Sequence, residues 1–184
     1  MIIILCGKSG SGKDYISKRL GYKPIISYTT RPMRENETNG VEYWFCSNKE
    51  FIDMINNDEM IEYRTYNTLY NGKADIWYYG LRKEKIRETE CNYVVILDLN
   101  GAKSFIDYYG KDICKVFYID VSDKERTNRA KSRGSFDETE WNRRLIADEK
   151  DFDMGEIDRI GGIRIKNENR EIDEVIKEIL TKVK

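Results

Sequence analysis

Gly7-Lys8-Ser9-Gly10-Ser11-Gly12-Lys13-Asp14 follows directly on Met-Ile-Ile-Ile-Leu-Cys, so a short apolar strand runs into a glycine-rich turn that ends in a lysine. Glycines at that spacing let successive backbone N–H groups turn toward one anion. Lys13 adds a point charge, and the helix that begins there contributes its positive end. The pattern predicts a nucleoside triphosphate cradle built from Gly7, Lys8, Ser9, Gly10, Ser11, Gly12, Lys13 and Asp14. Asp14 stands where a Ser or Thr hydroxyl normally meets Mg²⁺. A carboxylate ligates that ion as well as a hydroxyl does, but it also sets a negative charge near the triphosphate, so Asp14 is the metal-ligand candidate and metal should be tightly coupled to nucleotide. Lys8 is expected to point to solvent.

A second group is cationic. In a helix starting at Ser122, Arg126, Arg129 and Arg133 fall three and four residues apart and share one face, and Arg143 and Arg144 return on the following helix. Forked guanidinium groups of this kind can close over transferring phosphoryl oxygens. Apolar residues are few between Ser122 and Lys150, which predicts weak attachment and a mobile helical lid. Histidine is absent, which removes the commonest proton carrier and leaves chemistry by placement of charge.

These groups need a scaffold. Apolar runs at Ile2 to Cys6, Tyr93 to Asp98, Val116 to Asp120 and Ile163 to Lys166 are short, rich in β-branched residues and separated by helical stretches, the signature of a parallel sheet with helical crossovers. The helices are expected at Lys13 to Leu20, Leu81 to Glu88, Gly101 to Tyr109, from Ser122, from Asp137 and at Arg170 to Val183. Ser47-Asn-Lys-Glu50 and Ser122-Asp-Lys-Glu125 have the form of capping boxes. Asn71-Gly72 between strand-like flanks reads as a hairpin turn. The chain of 184 residues suits one folding unit with elaborations, and its net charge of -1 offers no general attraction to a polynucleotide. No apolar run approaches a membrane span, and Met1 opens straight into a core-type strand, so neither membrane nor nucleic-acid polymer is an expected partner and the expected location is cytoplasmic. Cys6, Cys46, Cys91 and Cys114 are dispersed and read as reduced.

The stretch from Ser27 to Phe45 reads S-x-T-T-R-x-x-R-x-x-E-x-x-G-x-x-Y-x-F and resembles the acceptor signature of the guanylate kinases at every fixed position. Glu59-Met-Ile-Glu62, Tyr78-Tyr79-Gly80, Ile96-Leu97-Asp98 and Arg129 to Gly134 with Arg144 resemble further blocks of that family in the same order. The resemblance implies an α/β fold: a P-loop three-layer α/β/α core (residues 1–30, 81–121 and 151–184), an inserted mixed-β lobe for a nucleoside monophosphate (31–80) and a helical lid (122–150). It also implies phosphoryl transfer from Mg-ATP to GMP or dGMP. Lys13, Arg34, Arg129, Arg133 and Arg144 then become the catalytic set, Asn167 joins the ATP site, and Ser27, Arg31, Arg34, Tyr43, Glu62, Tyr79, Asp98 and Asn100 hold the monophosphate.

Residue chemistry agrees. Two arginines with hydroxyl donors suit a dianionic phosphate, and the two oxygens of Glu62 match guanine's N1–H and exocyclic amine, whereas adenine would leave the carboxylate mispaired. Three positions depart from the family pattern: Asp14, Leu81 where a Ser or Thr is usual, and Asn100 in place of an aspartate. They leave open another monophosphate or small phosphate ester as acceptor. A non-catalytic phosphopeptide module is the other alternative, disfavoured by the presence of Lys13 and the lid arginines. The sequence does not define an oligomeric state.

Overall fold

The computed structural model describes residues 1–70, 73–84, 92–132 and 136–183. The chain divides into two compact units, one formed by Met1–Pro24 with Glu88–Lys184 and the other by Ile25–Arg87.

The first unit carries, in chain order, β1 (Ile2–Cys6), α1 (Lys13–Arg19), β2 (Lys23–Pro24), β7 (Tyr93–Ile96), α3 (Leu99–Tyr109), β8 (Cys114–Asp120), α4 (Asp123–Lys131), α5 (Glu138–Asp151), α6 (Met154–Arg159), β9 (Ile163–Lys166) and α7 (Ile172–Val183). Its strands form a five-stranded sheet in the order β2-β7-β1-β8-β9, and every pairing in it is parallel. β1 is central and buried along its whole length, which is why it reads as an unbroken apolar run rather than an alternating one. Ile3 and Leu5 join Ile16 and Leu20 of α1 and Val175 and Ile179 of α7 in one apolar cluster. Side chains alternate along a strand, so Ile2 and Ile4 face the opposite side, where α3 packs on β1 and β8. Helices therefore cover both faces, the three-layer arrangement that a parallel sheet requires. Each fully buried Ile or Leu contributes roughly 1.5–3 kcal/mol by leaving water, so this core holds the loop after β1 on a firm base.

The second unit contains β3 (Tyr28–Thr29), β4 (Trp44–Phe45), α2 (Asn48–Asn56), β5 (Met60–Tyr70) and β6 (Lys73–Arg82). Its sheet runs β4-β3-β6-β5 and is mixed, since β3 pairs parallel with β4 and antiparallel with β6. α2 starts on the full capping box Ser47/Glu50 and seats Phe51 and Met54 against Met60, with Tyr28 and Tyr78 alongside.

Several details differ from the sequence expectations. Leu81 and Arg82 close strand β6 instead of opening a helix; Leu81 is fully buried in that sheet, and pairing decided what local periodicity left ambiguous. Residues 85–88 of that expected helix lie outside the described residues, as do Asn71-Gly72 and Cys91, although β5 and β6 pair antiparallel up to Tyr70 opposite Lys73. Ser122 caps α4 through the Glu125 N–H, but its own N–H donates to Glu168, so only half of that capping box forms. α6 and the two-residue strands carry too little periodic signal to be read in advance.

Candidate active site

The glycine-rich loop leaves the C-terminal end of the central strand, the position at which parallel α/β sheets bind ligands. Its shape needs glycine at defined points. Gly7 has φ +149°, and a Cβ there would come within 2.7 Å of the Ile119 carbonyl oxygen. Gly12 caps α1 with φ 94° and supplies no side-chain cap; a Cβ there would lie 2.9 Å from Asn167 Nδ2. Lys13 folds back over the loop and donates to the carbonyl oxygens of Gly7 at 2.5 Å and Lys8 at 3.0 Å, and to Ser11 Oγ at 3.3 Å. Burial pulls its ammonium below the ordinary 10.5 while Asp14 and Asp148 oppose that effect. Asp14 is exposed in the first turn of α1. Lys8 does not point to solvent as expected; it forms an ion pair with Glu149.

The far wall of the loop comes from β9 and α4. Buried Asn167, immediately after β9, donates from Nδ2 to the Ser11 carbonyl oxygen at 2.8 Å. Arg129 donates from Nη2 to the Asn167 carbonyl oxygen at 2.6 Å, from Nε to Glu125 at 2.9 Å, and reaches the Ser11 carbonyl oxygen at 3.4 Å. Arg129, Asn167 and the loop are thus brought together. Arg144 lies on α5, nearly half exposed, and donates to Glu140 at 2.9 Å; hydrogen bonds from Arg143 and then Arg144 hold the Glu140 carboxyl down to about 2. Arg133 lies outside the described residues.

Arg126 departs from the arginine comb. It is 0% exposed and donates from Nη1 to the Ser9 carbonyl oxygen and to Asp148, both at 2.7 Å, and from Nη2 to Asp123 at 2.7 Å. Asp148 in turn accepts from the Ser9 N–H at 2.9 Å and from its hydroxyl at 3.1 Å. Trp141 lies beside Arg126, 6.0 Å from ring centroid to guanidinium carbon, and bonds Thr127. These residues clasp α4 and α5 to the loop. Sequence reading missed the clasp and expected loose attachment; the attachment is ionic rather than apolar. A signal was present, because α4 has Ala130 as its single apolar residue, so an arginine had to fill the helix's inward face.

In the second unit the threonines of the signature serve as stitching. Thr29 Oγ1 donates to the Tyr78 carbonyl oxygen at 2.9 Å and accepts the Arg31 N–H at 3.1 Å, while Thr30 Oγ1 accepts the Tyr78 N–H at 3.0 Å. That fixes Arg31 beside Tyr43 (5.5 Å from guanidinium carbon to ring centroid), and Tyr43 packs edge-on to Tyr79 at 5.8 Å. Burial raises the Tyr79 hydroxyl above 10, with Arg31 opposing. Arg31 is itself buried and grips Glu37 with two bonds, 2.7 and 2.9 Å. Burial works to raise the Glu37 carboxyl, but that grip and the Arg34 N–H hold it below the usual carboxylate range. Arg34 is exposed, and Ser27 lies half-buried just before β3. Glu62, on β5, is pushed up by burial and opposed by Arg64. Gly80 is required there, since a Cβ would sit 2.6 Å from the Glu62 carbonyl oxygen. Asp98 and Asn100 belong to the first unit: Asp98 caps α3 by accepting the Gly101 N–H at 2.8 Å, and Asn100 is exposed in its first turn.

A parallel sheet with a glycine-lysine loop after its central strand defines a P-loop nucleotide-binding protein. The fold matches guanylate kinase from Anaplasma phagocytophilum with a TM-score of 0.63, at 20% identity, over 100% of this chain and 84% of that one. The guanylate kinase family profile matches residues 1–183, and the chain belongs to that family. Guanylate kinase from Bacteroides thetaiotaomicron is 33% identical over 98% of this chain and 90% of its own length. The Porphyromonas gingivalis guanylate kinase is 34% identical over 73% of this chain and 72% of its own length.

Proposed function

We propose that this chain transfers the γ-phosphoryl group of ATP to GMP, giving ADP and GDP. The observation that carries this reading is the intact acceptor signature folded so that Arg31, Tyr43 and Tyr79 lie against one another in the second unit. Cationic and hydroxyl donors in that grouping suit a phosphate monoester dianion, and Arg34 and Ser27 complete the set. Glu62 takes the N1–H and amine of guanine, with Asp98 and Asn100 assigned to the same nucleotide. On the donor side Lys13 holds the β- and γ-phosphates within the loop, and Arg129, Arg133 and Arg144 are assigned to neutralise the transferred group. Transfer is in line and relies on placement of charge instead of covalent participation.

Magnesium fits the residues present. Such an ion keeps most of its waters and takes one carboxylate plus phosphate oxygens. Exposed Asp14, one residue after Lys13, is the carboxylate assigned. Magnesium supplies charge neutralisation of the triphosphate when bound. Asp14→Ala should weaken Mg-ATP binding and strengthen metal-free ATP binding, narrowing the ratio between them about tenfold or more. Calorimetric titrations with and without Mg²⁺ read both arms, and an unchanged ratio removes Asp14 from the metal site.

Among the described residues no helix is long and apolar enough to cross a membrane. Cys6, Cys46 and Cys114 are outside any disulfide, in keeping with the proposed cytoplasmic setting.

The test is ADP release, by a coupled assay, with GMP, dGMP, IMP, AMP, CMP and dTMP in turn. GMP is expected to lead AMP by a factor of at least about 10⁴, because adenine strands the half-buried Glu62 carboxylate. Equal or better turnover of another monophosphate replaces GMP as acceptor, and inactivity with all six together with phosphopeptide binding rejects the kinase reading.

A further inference from the structure

We propose that Arg64 reads the O6/N7 edge of the acceptor base while Glu62 reads its N1–H and amine, so that guanine is selected by an acid–base pair on one strand. This rests on the kinase reading given above. Glu62 and Arg64 are two apart on β5 and share a face of the hairpin. Arg64 Nε stands 4.0 Å from Glu62 Oε2, and the two side chains are 24% and 15% exposed, accessible to a planar ligand yet shielded from bulk water.

Opposite Glu62 the partner strand offers no competing donor. Glu62 pairs with Leu81 and Arg64 with Tyr79 across the hairpin, and Leu81 is 1% exposed and apolar. Tyr66, next on the same face, packs edge-on to Tyr79 at 5.4 Å. The face therefore runs acid, base, aromatic. Guanine carries its groups in the matching order: amine and N1–H donors, then the O6 and N7 acceptors. A carboxylate alone would meet O6 with like partial charge, whereas a guanidinium fork pairs with O6 and N7 in the commonest specific contact to this base. Adenine would turn its N6 amine toward Arg64, donor against donor. The division of labour follows: Arg64 sorts 6-oxo from 6-amino purines and Glu62 sorts bases with a 2-amino group from those without. Arg64 also opposes the effect of burial on the Glu62 carboxyl, favouring the ionised form that accepts from the base.

The experiment compares kcat/KM for GMP, 7-deaza-GMP and IMP in the parent protein, Arg64→Met and Arg64→Lys. 7-Deaza-GMP lacks only the N7 acceptor, and IMP lacks only the 2-amine. The parent should prefer GMP to 7-deaza-GMP by about tenfold. Arg64→Met should reduce that preference to less than about twofold while its preference for GMP over IMP is kept, and Arg64→Lys, with one compact donor, should fall between. An Arg64→Met protein that retains the full preference overturns the assignment, as does a parent that turns over both nucleotides equally. Loss of the GMP/IMP and GMP/7-deaza-GMP preferences together would mark general damage to the pocket and also reject it. Absence of parent activity on GMP would instead reject the kinase reading itself.

Discussion

Lys13→Met is expected to lower kcat/KM for ATP by about 10²- to 10³-fold, the effect of deleting one preorganised charge from a phosphoryl-transfer site. The protein should meanwhile be at least as stable as its parent. Lys13 is held by three loop acceptors, yet burial lowers its pKa from 10.5, so the folded state binds this proton less tightly than the unfolded chain does. The resulting destabilisation is present at neutral pH and is relieved as pH rises through the lowered value toward 10.5. Catalysis runs the other way, because the cation that grips phosphate is lost over that rise. The alkaline limb of kcat/KM for ATP should therefore lie below 10.5 in the parent and vanish in Lys13→Met. Steady-state kinetics across pH, with thermal unfolding of both proteins, check this. A methionine variant that turns over normally would remove Lys13 from the phosphate site.

The largest stability effect belongs to the clasp. Arg126→Leu leaves Asp148 buried without its cation, and breaking one half of a buried pair costs about 3–5 kcal/mol. The double variant Arg126→Leu/Asp148→Leu should regain much of that loss, since well-packed apolar replacements remove the desolvation penalty of both charges. Arg126 Nε has no hydrogen-bond partner, so part of the native charge burial is uncompensated and recovery need not stop at the parent value. Affinity for ATP should not recover in parallel. Ser9 loses both carboxylate contacts, and the loop it belongs to is no longer held in shape. Urea unfolding midpoints set against the KM for ATP separate the two consequences; a single variant less than about 1 kcal/mol below the parent would show the clasp to be energetically idle.

Much of this was legible in the chain because the informative residues are locally constrained. Gly7 and Gly12 announce a turn that other residues cannot make, and the apolar run of β1 announces a strand buried on both faces. Ser47 with Glu50 marks a helix start through reciprocal bonds only three residues apart. The signature from Ser27 to Phe45 groups Arg31 and Tyr43 in one motif, and the fold sets them side by side. What escaped depends on partners distant in sequence. Leu81 belongs to a strand because β5 and β3 flank β6, and local periodicity carries no trace of either neighbour. Arg126 looks like one more surface arginine until Ser9, 117 positions away, and Asp148 are seen around it. Asp98 sits at a strand end, as its sequence position suggests, and there it caps α3.

The pairing of Arg31 with Glu37 gives that guanidinium, in the proposed acceptor site, an anionic partner before any nucleotide arrives. Seating a phosphate there, as proposed above, would exchange one anion for another around the same guanidinium, with Glu37 released or shared as the nucleotide settles. Such a handover favours a ligand that brings two charges over one that brings a single charge, because a lone carboxylate or a monoanionic ester gains little over the glutamate it would displace. On the proposed reading, the resident carboxylate would act as a built-in competitor, a threshold against metabolites with an acidic group but no terminal phosphate.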